Sequence, residues 1–210
     1  MTQHSNSEFD VKAKDWDQDP EHINRSKVIA KAIREEVPFD PSFTAMEFGC
    51  GTGLISFALR DHFLKITLVD SSQGMLNVVR EKISDGGITN MIPLNVDLMQ
   101  AEDIKAGPFS VIFSSLVLHH IDDIGKVFKI WHSLLEEKGY LCVADIDSEN
   151  GSFHGHNFKG HNGFDRKWLE QVALSNGFSD VKFRTVYEIT KTGADGKKCS
   201  YPVFMMVCRK

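Results

Sequence analysis

Three glycines at alternate positions, Gly49, Gly51 and Gly53, lie between a short apolar run, Thr44-Ala45-Met46-Glu47-Phe48, and an amphipathic segment from Leu54 to Phe63. A second apolar run then ends in Leu68-Val69-Asp70, with the acid seventeen residues after the last glycine. The order reads as strand, tight turn, helix, strand, acid. Glycine permits φ > 0 in the turn and lets a ligand lie against bare backbone. The following helix N-terminus offers unpaired N–H groups to that ligand. An acid at the tip of the next parallel strand accepts hydrogen bonds from ribose hydroxyls.

The glycine order narrows the ligand. Dinucleotide dehydrogenases use G-x-G-x-x-G, which would place a third glycine where Leu54 stands. The phosphate loop is also excluded, because no Lys-Ser or Lys-Thr follows the glycines. The segment Glu47-Phe48-Gly49-Cys50-Gly51-Thr52-Gly53 resembles motif I of the class I S-adenosylmethionine-dependent methyltransferases, E/D-x-G-x-G-x-G.

Strand and helix patterns alternate along the 210 residues, which predicts an α/β fold with a mainly parallel sheet. An amphipathic helix is expected over 20–37, with Ile29, Ala32 and Ile33 on its stripe. Strands are expected at 45–48, 66–69, 92–96, 111–113 and 140–146. Ser71 is expected to cap a helix carrying Met75, Leu76, Val79 and Ile83 on one face. Further helices are expected over 122–136 and 166–175, and runs at 181–189 and 201–207 read as an antiparallel hairpin. Residues 147–163 have no regular period and read as a substrate-facing loop.

Net charge is −5 and the four cysteines form no C-x-x-C pair. A general nucleic-acid or acidic-lipid surface, a zinc knuckle and a disulfide framework are therefore not expected. Cys50 stands near a helix N-terminus, which lowers a thiol pKa, but it reads first as a small residue that fits the turn. No apolar run reaches the roughly 20 residues that cross a bilayer, and no membrane contact and a cytoplasmic location are expected.

The resemblance extends over nearly the whole chain. It implies a Rossmann-like seven-stranded sheet of order 3-2-1-4-5-7-6, with strand seven antiparallel and helices on both faces. Residues 1–40 would form an N-terminal helical cap and 41–210 the methyltransferase domain. The chain is most similar to the small-molecule methyltransferases of the ubiquinone/menaquinone-biosynthesis type. Phe9-Asp10, Trp16-Asp17, the stretch Leu118-His119-His120-Ile121-Asp122-Asp123 and the lead into strand five from Leu134 to Leu141 carry that similarity. It implies S-adenosylmethionine as cofactor and a small-molecule methyl acceptor. Glu47, Gly49, Cys50, Gly51 and Gly53 would surround the donor's amino-acid end and sulfonium, and Asp70 its ribose. Ser71, Met75, Asp97 and Leu98 would pack or read the adenine. Ser114, Ser115 and Leu116, after strand four, are expected to line the donor pocket, with Trp16 covering it.

Methyl transfer from a sulfonium needs alignment and water exclusion, and a hydroxyl or amine acceptor also needs a base. His119 and His120 stand at the right edge of the sheet for that. In the irregular loop, His154, His156 and Phe158 are the candidate substrate contacts. The H-x-H spacing of His154 and His156, with His161, Asp145 and Asp147 nearby, is a weak metal pattern, and no metal is assigned. Competing readings are a macromolecular (protein or RNA) methyltransferase and a non-catalytic S-adenosylmethionine-binding domain. The first lacks a basic recognition segment beyond Lys197-Lys198 and Arg209-Lys210.

Overall fold

The computed structural model describes residues 3–97, 99–100, 106–155, 158–192 and 198–210. Seven strands form one sheet: β1 (Thr44–Phe48), β2 (Lys65–Asp70), β3 (Met91–Asn95), β4 (Phe109–Ser115), β5 (Leu135–Ile146), β6 (Ser179–Thr192) and β7 (Lys198–Arg209). Their order is β3-β2-β1-β4-β5-β7-β6, as the resemblance implies. β1 to β5 run parallel, and β7 enters antiparallel between β5 and β6.

Side chains alternate across the sheet with the period of two that strands impose. Val111, Phe113, Cys142, Ala144, Val203 and Met205 face one core, which the helices α2 (Pro20–Glu36), α3 (Leu54–Leu59) and α4 (Gln73–Asp85) cover through Ile29, Ile33, Leu59, Leu76 and Val79. Ile112, Leu141, Val143, Phe204 and Met206 face the other, under α5 (Ile124–Leu134) and α6 (Arg166–Ser175), with Phe128, Trp131 and Leu169 between. Both faces are thus sealed, and function is left to the strand ends.

Local chemistry sets the helix starts. Asp19 caps α2 ahead of Pro20, accepting from Glu21 N at 2.8 Å. Asp123 caps α5 and Asp165 caps α6. The cap of α4 corrects the sequence expectation: it is Ser72, whose Oγ accepts from Met75 N at 3.1 Å, and not Ser71. The segment after Gly53 is also shorter than expected, with α3 passing into a 3-10 turn at Arg60–His62. Ahead of α2 lie α1 (Gln3–Lys12) and a 3-10 turn, Ala13–Gln18, which periodicity alone did not reveal. Two aspartates fasten this segment. Asp10 Oδ1 accepts from Ser72 Oγ at 2.6 Å and Gly74 N at 2.7 Å, at the start of α4. Asp17 accepts from Thr52 Oγ1 at 2.5 Å and Lys82 Nζ at 2.8 Å.

Candidate active site

The strand order reverses between β1 and β4, and α/β proteins place ligands at the carboxyl end of such a switch point. The glycine turn sits there. Gly49, Gly51 and Gly53 have φ of 67°, 52° and 79°, so all three need left-handed backbone. They need it for different reasons. A Cβ on Gly49 would stand 2.4 Å from Val117 Cγ2, inside the protein, whereas one on Gly51 would meet only Met75 Sδ at 4.0 Å and point into open space. Gly51 is therefore the position where the backbone is bare toward a ligand. Asp70 supports it from the next strand: Oδ2 accepts from Gly51 N and Oδ1 from Ser72 N, both at 2.8 Å. A third backbone donor, from Ser71, also reaches this carboxylate, which with two oxygens and about four lone-pair sites still has capacity for a ligand hydroxyl. Burial raises the Asp70 pKa, opposed by these backbone donors.

Glu47 is 3% exposed and accepts from Ser56 Oγ and Ser56 N in the first turn of α3. Burial lifts its pKa from 4.5 to about 8. The folded protein therefore holds a proton that the unfolded chain has released, and the stability this gives is complete below pH 4.5 and is lost as pH rises through about 8. The thermal midpoint should fall more steeply between pH 5 and 8 than that of Glu47→Gln. Parallel profiles for the two proteins would separate Glu47 ionisation from folding. The thiol of Cys50 is also pushed up by burial, so the helix-terminus lowering considered from the sequence does not operate.

The glycine turn opens into a cavity of about 980 Å³, near the top of the 300–1,000 Å³ usual for a small-molecule site. Glu47, Gly49, Cys50, Gly51, Asp70, Ser71, Met75, Ser115, Leu116 and Trp16 line it. Leu116 holds φ 54° there, a strained conformation for a non-glycine residue. Ser114 does not line it: it points to the opposite sheet face and donates to Phe48 O at 2.9 Å. Alternation along β4, with Ser114 in phase with Ile112, is the signal that would have found this. Gly53 is packed against Leu68 and Phe57. Asp97 lies in a small adjoining recess with Val69, Asp70 and Ser71, and accepts from Met99 N at 3.0 Å. Leu98 and His156 lie outside the described residues.

The same cavity is also lined by His119, His120, His154 and Phe158. His119, in a 3-10 turn (Leu118–His120) after β4, is buried against the end of β5: its Nδ1 lies 2.7 Å from Asp145 Oδ1, and its backbone N donates to Asp145 Oδ2 at 3.2 Å. Asp145 is 0% exposed and also accepts from Ile146 N at 2.8 Å. This leaves Nε2 of His119 as the free ring nitrogen. Its ring centroid is 4.2 Å from that of His120 and 5.0 Å from that of His154. Burial, and then His119, push His120 down to about 3 and His154 to about 4, so both rings are neutral at pH 7.

The set weighed from the H-x-H spacing disperses. His161 Nε2 lies 3.0 Å from Ile121 O, and Asp147 is held by both ends of the Arg166 guanidinium at 2.7 Å. Residues 147–163 are tethered at their base, where Ser148 N donates to Phe164 O and Glu149 N to Asn162 O. His154 stacks on Phe158 at 3.9 Å, and Lys191 lies 3.5 Å above the Phe153 ring. Val117, Lys82 and Asp145 were not given these roles from the sequence. An acid inside the apolar run Leu141-Cys142-Val143-Ala144-Asp145-Ile146 was the available sign for the last.

A sheet in this order, a G-x-G-x-G turn in left-handed backbone and an acid on the neighbouring strand tip define the class I methyltransferase fold, whose donor is S-adenosylmethionine. Residues 46–141, a little under half of the chain, match the family model described as "Methyltransferase domain". It is 32% identical over 116 residues to an uncharacterized methyltransferase of Schizosaccharomyces pombe, covering 52% of this chain and 41% of that protein. It is 26% identical over 127 residues to a ubiquinone biosynthesis O-methyltransferase of Caulobacter vibrioides, covering 59% and 49%. The matched part of the chain thus spans about half the length, or less, of these relatives. Among solved structures it is similar in fold to the Haemonchus contortus phosphoethanolamine N-methyltransferase 2 in complex with phosphomonomethylethanolamine and S-adenosylhomocysteine (TM-score 0.70, 15% identity, 89% of this chain and 52% of that one).

Proposed function

We propose that this protein transfers a methyl group from S-adenosylmethionine to a small molecule. The observation that carries the reading is one cavity with two unlike walls. On one side are the glycine turn, Glu47 and Asp70, which suit the donor's amino-acid end and ribose. On the other is a histidine and phenylalanine wall that suits an acceptor. In the reaction the acceptor atom bonds to the methyl carbon and the sulfur keeps the bonding pair, leaving neutral S-adenosylhomocysteine. An O–H or N–H acceptor also gives up a proton, and His119 and His120 are the groups we place beside it. Phe9 and Trp16, both on the cavity wall, restrict access from above and favour a small acceptor over a protein or RNA.

Release of S-adenosylhomocysteine, followed over a metabolite panel and over protein and RNA substrates, tests the acceptor class. Turnover confined to a macromolecule would reverse it. Donor binding is tested with Asp70. A hydrogen bond to a charged group contributes about 1.5–3 kcal/mol, so Asp70→Ala should weaken S-adenosylhomocysteine binding roughly tenfold to hundredfold. Because Asp70 also holds Gly51 N and Ser72 N, Asp70→Asn serves as the variant that keeps the side-chain volume and one acceptor oxygen. Unchanged calorimetric affinity in both would remove Asp70 from the donor site.

We also propose residues 147–163 as a lid over the acceptor. Supporting this are His154 and Phe158 on the cavity wall and glycines at 151, 155, 160 and 163. Hydrogen exchange in this segment should slow when donor and a verified acceptor are both bound. Equal protection in the free and doubly bound protein would end the lid idea.

A further inference from the structure

We infer that His119, His120 and His154 form a three-imidazole seat for one divalent transition-metal ion at the acceptor end of the cavity, with its remaining coordination positions open to the acceptor. This rests on the reading of that wall as the acceptor side. One ring nitrogen from each histidine lies within 4.8 Å of the other two. A tetrahedral zinc ion with Zn–N of about 2.0–2.1 Å holds its nitrogens roughly 3.3 Å apart. The set must therefore contract, and its members differ in how freely they can. His119 is buried and fixed. His154 is exposed, between Gly151 and Gly155, which hold φ of 86° and 85°. The contraction falls to the loop residue.

Three features favour an ion over a simple histidine patch. Metal-bound histidines usually donate their second ring nitrogen to a carboxylate, which fixes the tautomer and aims the ligating nitrogen. His119 has that partner in Asp145, at 2.7 Å and fully buried. Among the described residues, the ring nitrogens of His120 and His154 have no hydrogen-bond partner, so their lone pairs are uncommitted. The rings of Phe9, Phe153 and Phe158 flank the set at centroid distances of 4.7–6.2 Å or, for the His154 stack, 3.9 Å. They limit competing water. Three imidazoles with no carboxylate in the set select zinc-like ions over Mg²⁺ or Ca²⁺. An ion there would hold the acceptor heteroatom and lower its pKa, so that its proton leaves to solvent before methyl transfer; His119 and His120 would then serve as ligands in place of the base role.

The test uses the tag-free, full chain after treatment with a chelator. Calorimetry with Zn²⁺ should show one equivalent bound, and Co²⁺ should give the visible d–d absorption of a low-coordinate nitrogen site. Zn²⁺ affinity should fall at least about tenfold in His120→Ala and in His154→Ala. Asp145→Asn leaves all three imidazoles in place and should still cost about 10- to 100-fold, the range for losing such a partner. Circular dichroism keeps folding separate from binding. No saturable Zn²⁺ or Co²⁺ binding tighter than about 1 mM, or equal affinity in the His120→Ala/His154→Ala double variant, would overturn the site. S-adenosylhomocysteine titrations on the same samples separate the two readings: zinc binding without it leaves the metal site standing and removes the donor assignment.

Discussion

Gly51→Val should abolish S-adenosylhomocysteine binding in a protein that still folds. At φ 52° a Cβ here meets no protein atom closer than Met75 Sδ at 4.0 Å and points into the cavity, so the fold itself is not in its way. Two methyl groups at this point would stand where the donor meets the backbone. Left-handed backbone costs a residue with a Cβ roughly 1–2 kcal/mol. At about 2–4 °C per kcal/mol for a chain of this size, the midpoint should drop by only about 2–8 °C. Affinity should drop more than about a hundredfold, above 2.7 kcal/mol by the same arithmetic that makes 1.4 kcal/mol tenfold. Calorimetry and a thermal melt on one sample separate these effects. Retained affinity would mean the donor does not approach Gly51. Gly49 forms the contrast, since its Cβ would collide with Val117 and damage the fold first.

Asp145→Ala should be the most damaging change to the acceptor wall. The carboxylate accepts three hydrogen bonds in a region without solvent: from His119 Nδ1, His119 N and Ile146 N. Leaving a buried donor unsatisfied costs about 1–3 kcal/mol, and relaxation will let some donors find other partners. A loss of roughly 3–6 kcal/mol is expected, on the order of 10–20 °C. Asp145→Asn retains a carbonyl acceptor and should lose less. A midpoint within about 3 °C of wild type for Asp145→Ala would show that the His119 contact does not organise this end of β5.

The glycine-turn side of the cavity was legible because its constraints are local. Glu47 to Gly53 and Asp70 belong to one strand-turn-helix-strand unit, and backbone geometry forces the residue types. Alternation of strand and helix patterns gave a mainly parallel sheet, and the strand order came from the resemblance. The histidine side was legible only in composition. His119 meets Asp145 across 26 residues and His154 arrives from a separate loop, so no spacing in the sequence announces either meeting. The metal pattern grouped His161 with the H-x-H pair His154 and His156, yet His161 is tied to the carbonyl of Ile121. Asp10 and Asp17 were visible only as part of a resemblance, because the partners that explain them, Gly74 and Lys82, lie 64 and 65 residues away. Ser114 was misplaced for a simpler reason, since neighbouring residues of a strand face opposite layers.

The insertion of β7 between β5 and β6 has a consequence for how the chain is made. Ribosomal synthesis proceeds from the N-terminus, and until residue 209 has emerged β5 has an open edge and β6 has no neighbour. A nascent chain that stops before residue 198 lacks Phe204 and Met206 from one core and Val203 and Met205 from the other. Such an apolar edge is a template for wrong pairing. Asp145 sits opposite Phe204 in this register. The strand that carries Asp145, the partner of His119, therefore gains its second neighbour last, although the glycine turn near residue 50 was synthesised long before.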